Sequence, residues 1–235
     1  MLSRRAFLEA GYYAPIAEAL IAAAKELTVN SNEIRPSGEL LDVGCGEGYY
    51  SARLAGALGM RLTGMDISRE AVRCAAGKYK NGLWLCATAS HIPVADHSCR
   101  LLTSLFALTM PEEFKRVLRP EGYFFQVLAA EDHLLGLKSI IYDHLIEKPK
   151  DTVPDVPGFT LVKSVPIRFT FTVEGEQVEN LLSITKMADG SVKLHLSDQV
   201  AEDVVSEALR HIDRRCSEHP VTTDCGDEPL LIRVD

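Results

Sequence analysis

Residues 40–50 read Leu-Leu-Asp-Val-Gly-Cys-Gly-Glu-Gly-Tyr-Tyr, and this stretch decides the fold of the chain. A short apolar run that opens into glycines at alternate positions is typical of a buried strand that turns sharply into a helix. Glycine suits such a turn because a backbone without Cβ bends tightly and lets a ligand approach closely. The sequence therefore predicts a strand at 39–43, a ligand-binding turn, and a helix at 49–58.

The spacing of the glycines and two acidic residues narrows the class of ligand. Gly44, Gly46 and Gly48 form G-x-G-x-G, whereas the third glycine of the dinucleotide fingerprint G-x-G-x-x-G comes one position later. Asp66 ends the next predicted strand, where a βαβ unit places the carboxylate that accepts the two ribose hydroxyls. Asp42 adds a second carboxylate just before the turn. The pattern favours a positively charged nucleoside without a pyrophosphate, and S-adenosylmethionine is such a ligand.

This combination resembles the nucleotide-binding half of the class I methyltransferases. The resemblance implies an α/β fold, a Rossmann-like seven-stranded sheet with helices on both faces, and S-adenosylmethionine as cofactor. In many of these enzymes an aspartate after the third strand binds the adenine amino group, and Thr88 and Ala89 occupy that place here. The Thr88 hydroxyl or nearby backbone amides are then expected to contact the adenine, beside Ile67. The alternative is an α/β domain whose loop merely happens to be rich in glycine.

The remaining elements follow from hydrophobic periodicity and turn residues. We predict a pair of helices within 3–27 hinged at Gly11 and Pro15, and a helix capped by Ser68. Further predicted elements are strands at 61–66, 83–88, 101–105, 123–128 and 228–234, helices at 111–118, 131–146, 176–184 and 198–212, a turn at 119–122, and a bent strand from 159 interrupted at Pro166. Residues 1–38 are predicted to form an N-terminal helical lid and residues 39–235 the methyltransferase domain, with no separate second domain.

Composition and cysteine spacing limit the other function classes. With a net charge of −8 the chain lacks the basic balance that broad nucleic-acid affinity needs, and no apolar run is long enough to span a membrane. The six cysteines include no C-x-x-C pair and are expected to be reduced thiols, mostly buried. Cys216, His219 and Cys225 fit no common zinc spacing, so no metal site is predicted.

The N-terminus contains an arginine pair that resembles an export signal. Arg4 and Arg5 precede Ala6-Phe7-Leu8, but Gly11, Pro15 and later charged residues interrupt the apolar segment that such a signal requires. An amphipathic helix fits the spacing better. We therefore expect a cytoplasmic protein, whose oligomeric state, a homodimer included, the sequence leaves open.

A narrower resemblance extends over almost the whole chain. The segments Arg4–Tyr13, Asp42–Tyr50, His133-Leu134, Leu137-Lys138 with Tyr142, Phe159–Leu161 and Leu181-Leu182 are similar to the bacterial 23S rRNA guanine-N1-methyltransferases. This resemblance implies that Tyr13, Gly46, Glu47 and His133 contact the cofactor. It also implies 23S rRNA as partner and guanine N1 as methyl acceptor.

The chain also departs from that family. It begins after the point at which the family's zinc-binding, RNA-recognising module would end. Ser104 replaces an arginine at the end of the fourth strand, and Thr185-Lys186-Met187 replaces a Thr-Pro-Phe signature. Two alternatives to the rRNA enzyme therefore stay open: a small-molecule methyltransferase with the same cofactor pocket, and a cofactor-binding protein without catalysis.

The expected chemistry is in-line methyl transfer, which depends chiefly on alignment at near-attack distance. Methylation at guanine N1 also requires that a proton leave, and a carboxylate or imidazole could accept it. Asp132 and His133 are the nearest candidates in the sequence, although neither is assigned as catalytic. Phe106, at the carboxyl end of the fourth strand, is a candidate for an apolar wall against which an unstacked base would rest.

Overall fold

The predicted strand, turn and helix around the glycines are present in a computed structural model, which describes residues 2–31, 38–130, 133–134, 153–174, 177, 180–181, 221–224 and 228–234. The helices are α1 (Leu2–Glu9), α2 (Ala14–Ser31), α3 (Tyr49–Leu58), α4 (Arg69–Lys78) and α5 (Pro111–Val117). The strands are β1 (Glu39–Val43), β2 (Arg61–Asp66), β3 (Gly82–Cys86), β4 (Cys99–Leu105), β5 (Leu118–Val127), β6 (Thr160–Ile167), β7 (Thr170–Val173), β8 (Val221–Asp224) and β9 (Glu228–Val234).

Seven strands form one sheet in the order β3-β2-β1-β4-β5-β9-β6. The first five are parallel, and β9 runs antiparallel to both of its neighbours. This order confirms the predicted Rossmann-like α/β sheet. Because the order reverses between β1 and β4, the carboxyl ends of these two strands flank a crevice, which is where open α/β sheets bind ligands.

Helices cover both faces of this sheet. Leu41 and Val43 of β1 pack in a core cluster with Phe114 of α5. Asp42 lies between them in sequence and therefore points to the opposite face, where it meets Ser51 of α3. Because both faces are covered, burial in β1 and β4 is nearly continuous rather than alternating, and it includes the polar residues Asp42, Thr103 and Ser104.

The structure corrects the predicted end of β3 and the predicted turn before β5. The strand expected at 83–88 is β3, which ends at Cys86, because Thr88 and Ser90 form a turn. The turn expected at 119–122 lies within β5, at a shift in register; Glu121, with φ of 62°, adopts the left-handed conformation instead of Gly122. Gly122 is nevertheless constrained, because a Cβ there would lie 2.8 Å from the carbonyl oxygen of Arg119.

The strand from 159 breaks after Ile167, not at Pro166. Pro166 stays within β6, directly opposite Pro229 of β9. It is tolerated there because β6 is an edge strand, in which a missing N–H costs little. The chain then enters β7, which pairs with β8 in a separate two-stranded sheet.

The described structure divides into two compact units. One comprises Met1–Tyr12, Glu131–Pro149 and Arg168–Gly226, and the other comprises Tyr13–Ala130, Lys150–Ile167 and Asp227–Asp235. In the first unit the rings of Phe7, Tyr12 and Phe171 pack together. In the second, α2 packs against α3 and β6. The boundary predicted at residue 38 and the lid role of residues 1–38 stay predictions.

Several predicted elements lie outside the described residues. These are the helix at 198–212, most of the helices at 131–146 and 176–184, and the segment with Cys216, His219 and Cys225. Among the helices that the structure describes, none has the length and apolar character needed to cross a membrane.

Candidate cofactor-binding site

The turn after β1 is fastened to the end of β2 by backbone and side-chain hydrogen bonds. The amides of Gly44 and Cys45 both donate to the carbonyl oxygen of Met65, at 2.8 and 2.9 Å. The next glycine amide, that of Gly46, donates to Asp66 Oδ2 at 2.9 Å. Gly46 and Asp66, which were each predicted to contact the cofactor, are therefore in direct contact with one another at the carboxyl ends of neighbouring parallel strands.

Asp66 is held in one orientation but retains acceptor capacity. Its Oδ1 accepts a hydrogen bond from the amide of Ser68 at 2.8 Å, while Oδ2 accepts the one from Gly46. A carboxylate offers about four lone-pair sites, so two remain after these bonds. This arrangement fits the two ribose hydroxyls that the sequence analysis assigned to Asp66.

The three glycines of the turn are needed for different reasons. A Cβ at Gly44 would lie 2.6 Å from the Cβ of Ala107, in the loop after β4. A Cβ at Gly48 would lie 2.4 Å from the indole of Trp84. Only at Gly46 would an added Cβ meet no atom within 4 Å, among the residues that the structure describes. Gly46 is therefore the glycine that leaves room for a ligand, and Gly48 is required by packing.

Asp42 lies beneath the turn with only 2% of its surface exposed. Ser51 Oγ donates to its Oδ2 at 2.5 Å, and Thr103 Oγ1 donates to its Oδ1 at 2.6 Å. Burial raises the pKa of Asp42 from its ordinary value of 3.8 to about 6, although the two hydroxyl hydrogen bonds oppose the rise. At neutral pH, above this pKa, the group is an anion, and its hydrogen bonds join β1, α3 and β4.

Cys45 is not a nucleophile in this site. Its thiol is buried, and burial together with the nearby carboxylates of Asp42 and Asp66 raises the pKa of the thiol. A thiol that stays protonated is a poor nucleophile. Its place in the turn therefore serves packing.

The predicted adenine contacts lie at the same edge of the sheet. Ile67 directly follows Asp66 and is 79% exposed, which leaves an apolar surface beside the carboxylate. The amide of Ala87 donates to the carbonyl oxygen of Asp66 at 3.1 Å, which brings the end of β3 to the end of β2. Thr88 is exposed, with its hydroxyl hydrogen-bonded to Ser90, and Ala89 packs partly against the core.

The loop after β4 borders the turn from the other side of the crevice. Phe106 has a φ of 54°, although it is not glycine, and its amide donates to Val127 of β5 at 2.9 Å. Such strained conformations occur preferentially at functional sites. Leu108, two residues later, is 78% exposed. Ser104, in place of the family's arginine, is buried and donates to the carbonyl oxygen of Leu108 at 3.3 Å.

The structure gives positions for Tyr13, Glu47 and His133, the three other residues that the resemblance assigns to the cofactor. Tyr13 and Glu47 are buried in the unit that contains the seven-stranded sheet. His133 is partly buried at a turn in the other unit, and Asp132 lies outside the described residues. Their roles stay predictions.

Sequence reasoning missed two groups of residues. Thr103 and Ser51 hold Asp42. Thr103 was missed because it meets Asp42 only through the register of the parallel strands, which the spacing of residues does not reveal. Trp84 was missed because a lone aromatic residue in a predicted strand is ordinarily core. No local pattern relates it to Gly48.

Comparison with known proteins gives a consistent result. A family profile described as a methyltransferase domain matches residues 41–126, from β1 into β5. A crystal structure of a candidate methyltransferase from Bacillus halodurans superimposes with a TM-score of 0.51 and 14% identity, covering 91% of this chain and 97% of that one. The similarity in structure supports the fold.

Three curated proteins are similar in sequence. YxjB of Bacillus subtilis, named as a candidate 23S rRNA (guanine-N1)-methyltransferase, is 26% identical over 80% of this chain and 68% of its own length. A Streptomyces fradiae protein named 23S rRNA (guanine(748)-N1)-methyltransferase is 31% identical over 57% of this chain and 48% of its own length. A Chlorobaculum tepidum protein named demethylmenaquinone methyltransferase is 28% identical over 59% of this chain and 58% of its own length. The chain thus spans about half the length of the Streptomyces relative.

Proposed function

Because this chain is a class I S-adenosylmethionine-dependent methyltransferase, related to the 23S rRNA (guanine-N1)-methyltransferases, we propose that it methylates N1 of a guanine in 23S rRNA. The names of these relatives support guanine N1 as the methyl acceptor. The hydrogen bond between Gly46 and Asp66 supports the turn after β1 as the cofactor site. On this proposal 23S rRNA is the partner, and the protein works in the cytoplasm.

The residues at the carboxyl edge of the sheet fit the cofactor. Asp66 binds the sugar hydroxyls, Gly46 allows close approach of the backbone, and Ile67 with Ala89 and Thr88 forms the adenine side. The bound cofactor supplies an electrophilic methyl group on a sulfonium. The buried anionic Asp42 contributes negative charge beneath the turn, which favours a cationic ligand.

The loop after β4 is the proposed acceptor side. Phe106 and the exposed Leu108 offer an apolar surface against which a flat base can rest once it leaves its stack. The chain's task there is to hold N1 in line with the methyl group, because alignment lowers the barrier more than acid–base chemistry does.

Methyl transfer to unmodified 23S rRNA tests this proposal. The protein is incubated with the rRNA and S-adenosylmethionine labelled in the methyl group, and the product is analysed by primer extension. A methyl group on N1 occupies the Watson–Crick edge of guanine, so reverse transcription is expected to stop at one position. Label in the rRNA together with such a stop supports the proposal, whereas unlabelled rRNA contradicts it.

A matched pair of variants ties the activity to the site. Asp66→Asn replaces the carboxylate that accepts hydrogen bonds from the amides of Gly46 and Ser68. The variant should lower the rate of methyl transfer by roughly 100-fold, because it weakens both the turn and the contact with the sugar. Glu70→Gln makes the same chemical change at an exposed position in the first turn of α4 and should leave transfer nearly unchanged. Equal activity of the two variants would contradict the assigned site.

A second candidate function is methylation of a small flat acceptor. The similarity to a protein named demethylmenaquinone methyltransferase and the net charge of −8 favour it. In place of rRNA, the same labelled cofactor is offered with demethylmenaquinone reduced to its quinol, because the electron-rich quinol ring can attack the methyl group and then lose a proton. Methylated quinone with unlabelled rRNA would replace the first candidate with this one.

A further inference from the structure

Trp84, the only tryptophan of the chain, lies in a slot formed by three glycines. A Cβ added at Gly64 would lie 2.4 Å from its indole, one at Gly48 would also lie 2.4 Å away, and one at Gly82 would lie 2.9 Å away. Real Cβ atoms do not approach other atoms so closely. Each of the three glycines is therefore required by the same indole ring.

The geometry of the sheet explains the slot. Gly64 of β2 is the register partner of Trp84, and Gly82 lies two residues earlier in β3, on the same face. Gly48, at the start of α3, closes the slot from above the sheet. The indole Nε1 donates to the carbonyl oxygen of Tyr79 at 2.9 Å, which fixes the orientation of the ring.

The slot adjoins both partners of the contact that defines the candidate site. Gly48 is two residues from Gly46, and Gly64 is two residues from Asp66, so the indole touches the turn and the strand that the hydrogen bond between Gly46 and Asp66 joins. Glycines supply most of this lining, so few atoms can refill it, although among the described residues Cys45 Sγ adjoins Gly64 and the ring of Tyr79 lies 6.1 Å from that of Trp84. Because Trp84 is partly exposed, loss of the indole should leave a groove open to water or let the backbone move.

We propose that Trp84 is a positioning residue for the cofactor: its indole, packed against Gly48 and Gly64, sets the distance between the Gly46 amide and the Asp66 carboxylate. It acts through the turn and not by contact with the reacting atoms. This inference rests on the proposed function, because it takes Gly46 and Asp66 as the cofactor site.

Calorimetric titration with S-adenosylhomocysteine, the demethylated product, tests the proposal. Trp84→Leu should weaken binding by about tenfold, which corresponds to about 1.4 kcal/mol, while the protein stays folded by circular dichroism. Leu83→Ala is the matched control, because Leu83 neighbours Trp84 in β3, points to the opposite face and is exposed. It should bind as the unaltered protein does.

A steric rescue makes the test specific to the slot. Gly64→Ala should weaken binding because its Cβ would lie 2.4 Å from the indole and 3.2 Å from Cys45 Sγ. The double variant Gly64→Ala/Trp84→Leu removes the larger of these two clashes, so it should lose less binding than the two single variants added together. Gly48→Ala should not be rescued by Trp84→Leu, because Gly48 has a φ of 77°, which strains alanine whatever the space. Additive losses in the Gly64 double variant would overturn the proposal.

Remaining outcomes separate this inference from the proposed function. Binding by folded Trp84→Leu that equals that of the unaltered protein overturns the role of Trp84 and leaves the site standing. Failure of the unaltered protein to bind S-adenosylhomocysteine overturns both.

If Trp84→Leu does not fold, Trp84→Phe takes its place, because phenylalanine keeps one flat ring in the slot. It should bind more weakly than the unaltered protein and more tightly than Gly64→Ala. Intrinsic fluorescence gives an independent readout in the unaltered protein: emission of its single tryptophan should change on addition of S-adenosylhomocysteine. Trp84→Phe that binds as tightly as the unaltered protein, together with unchanged emission, overturns the proposal.

Discussion

At the scale of single residues, Asp42 is a carboxylate removed almost completely from water, with 2% of its surface exposed. Burial disfavours its charge, whereas Ser51 and Thr103 supply the hydrogen bonds that an anion needs. Because the pKa of Asp42 is raised, the folded protein keeps a proton between pH 3.8 and about 6 that the unfolded chain has released. The folded state then binds more protons, so the contribution of Asp42 to stability decreases as pH rises through this window.

The unfolding free energy of Asp42→Asn should therefore depend differently on pH. Between pH 3.8 and 7, the unfolding free energy of the variant should rise by about 3 kcal/mol relative to that of the unaltered protein. The pKa of Asp42 is raised by about two units, and each unit corresponds to about 1.4 kcal/mol. Urea denaturation of both proteins at a series of pH values measures the difference. Titrating groups that do not interact with Asp42 cancel in that difference, and a value that does not change with pH would contradict the buried carboxylate.

At the scale of elements, the loop between β3 and β4 is tied to α5 by one arginine and one glutamate. Arg116 donates to the carbonyl oxygens of Ile92 and Val94 at 2.8 and 3.0 Å, and forms ion pairs with Glu113 and Asp96. Glu113 in turn accepts the amide of Ile92 at 2.7 Å. Hydrogen bonds from Arg116 lower the pKa of Glu113 from its ordinary value of 4.5 to about 2, in spite of partial burial. The contribution of Glu113 to stability is therefore present above pH 4.5 and is lost as pH falls toward 2.

Arg116→Lys should loosen this loop because an ammonium group cannot reproduce the fork of a guanidinium. We expect a loss of about 1–2 kcal/mol in unfolding free energy, equivalent to one or two net hydrogen bonds. Arg73→Lys on the exposed surface of α4 is the control and should stay within about 0.5 kcal/mol. Faster amide hydrogen exchange over residues 91–97 should accompany the loss, and unchanged exchange there would contradict the tie.

At the scale of the whole molecule, Arg233 joins parts of the chain that are distant in sequence. It lies in β9, is 1% exposed, and donates to Gln126 Oε1 at 2.7 Å and to the carbonyl oxygen of Pro154 at 2.8 Å. Gln126 Nε2 in turn donates to Thr109 Oγ1, in the loop after β4, at 2.7 Å. Burial lowers the pKa of Arg233, although Asp155 opposes this. The closing strand is thus linked through β5 to the loop that follows Phe106–Leu108.

Arg233→Ala should be strongly destabilising because it leaves the buried Gln126 oxygen and the partly buried Pro154 oxygen without their donor. We expect a loss of about 3 kcal/mol or more by urea denaturation, from two unsatisfied acceptors and a cavity. Arg61→Ala removes an arginine from the exposed ion pair with Glu39 and should change stability by less than about 1 kcal/mol. Similar losses in the two variants would show that the buried network contributes little.

The sequence by itself determined the local elements of the site. The bounds of β1, β2 and α3, the cap at Ser68 and the position of Asp66 at a strand end were all predicted, because periodicity and glycine spacing act within a few residues. The seven-stranded sheet also followed, from the alternation of strands and helices.

Only the tertiary structure decided what surrounds those elements. Asp42 meets Thr103 because β1 and β4 are neighbours, Gly64 faces Trp84 because β2 and β3 pair in that register, and Gln126 meets Arg233 across β5 and β9. The partners in each pair are between 20 and 107 residues apart. Local spacing carries no information on strand register, which is set by the packing of the complete sheet.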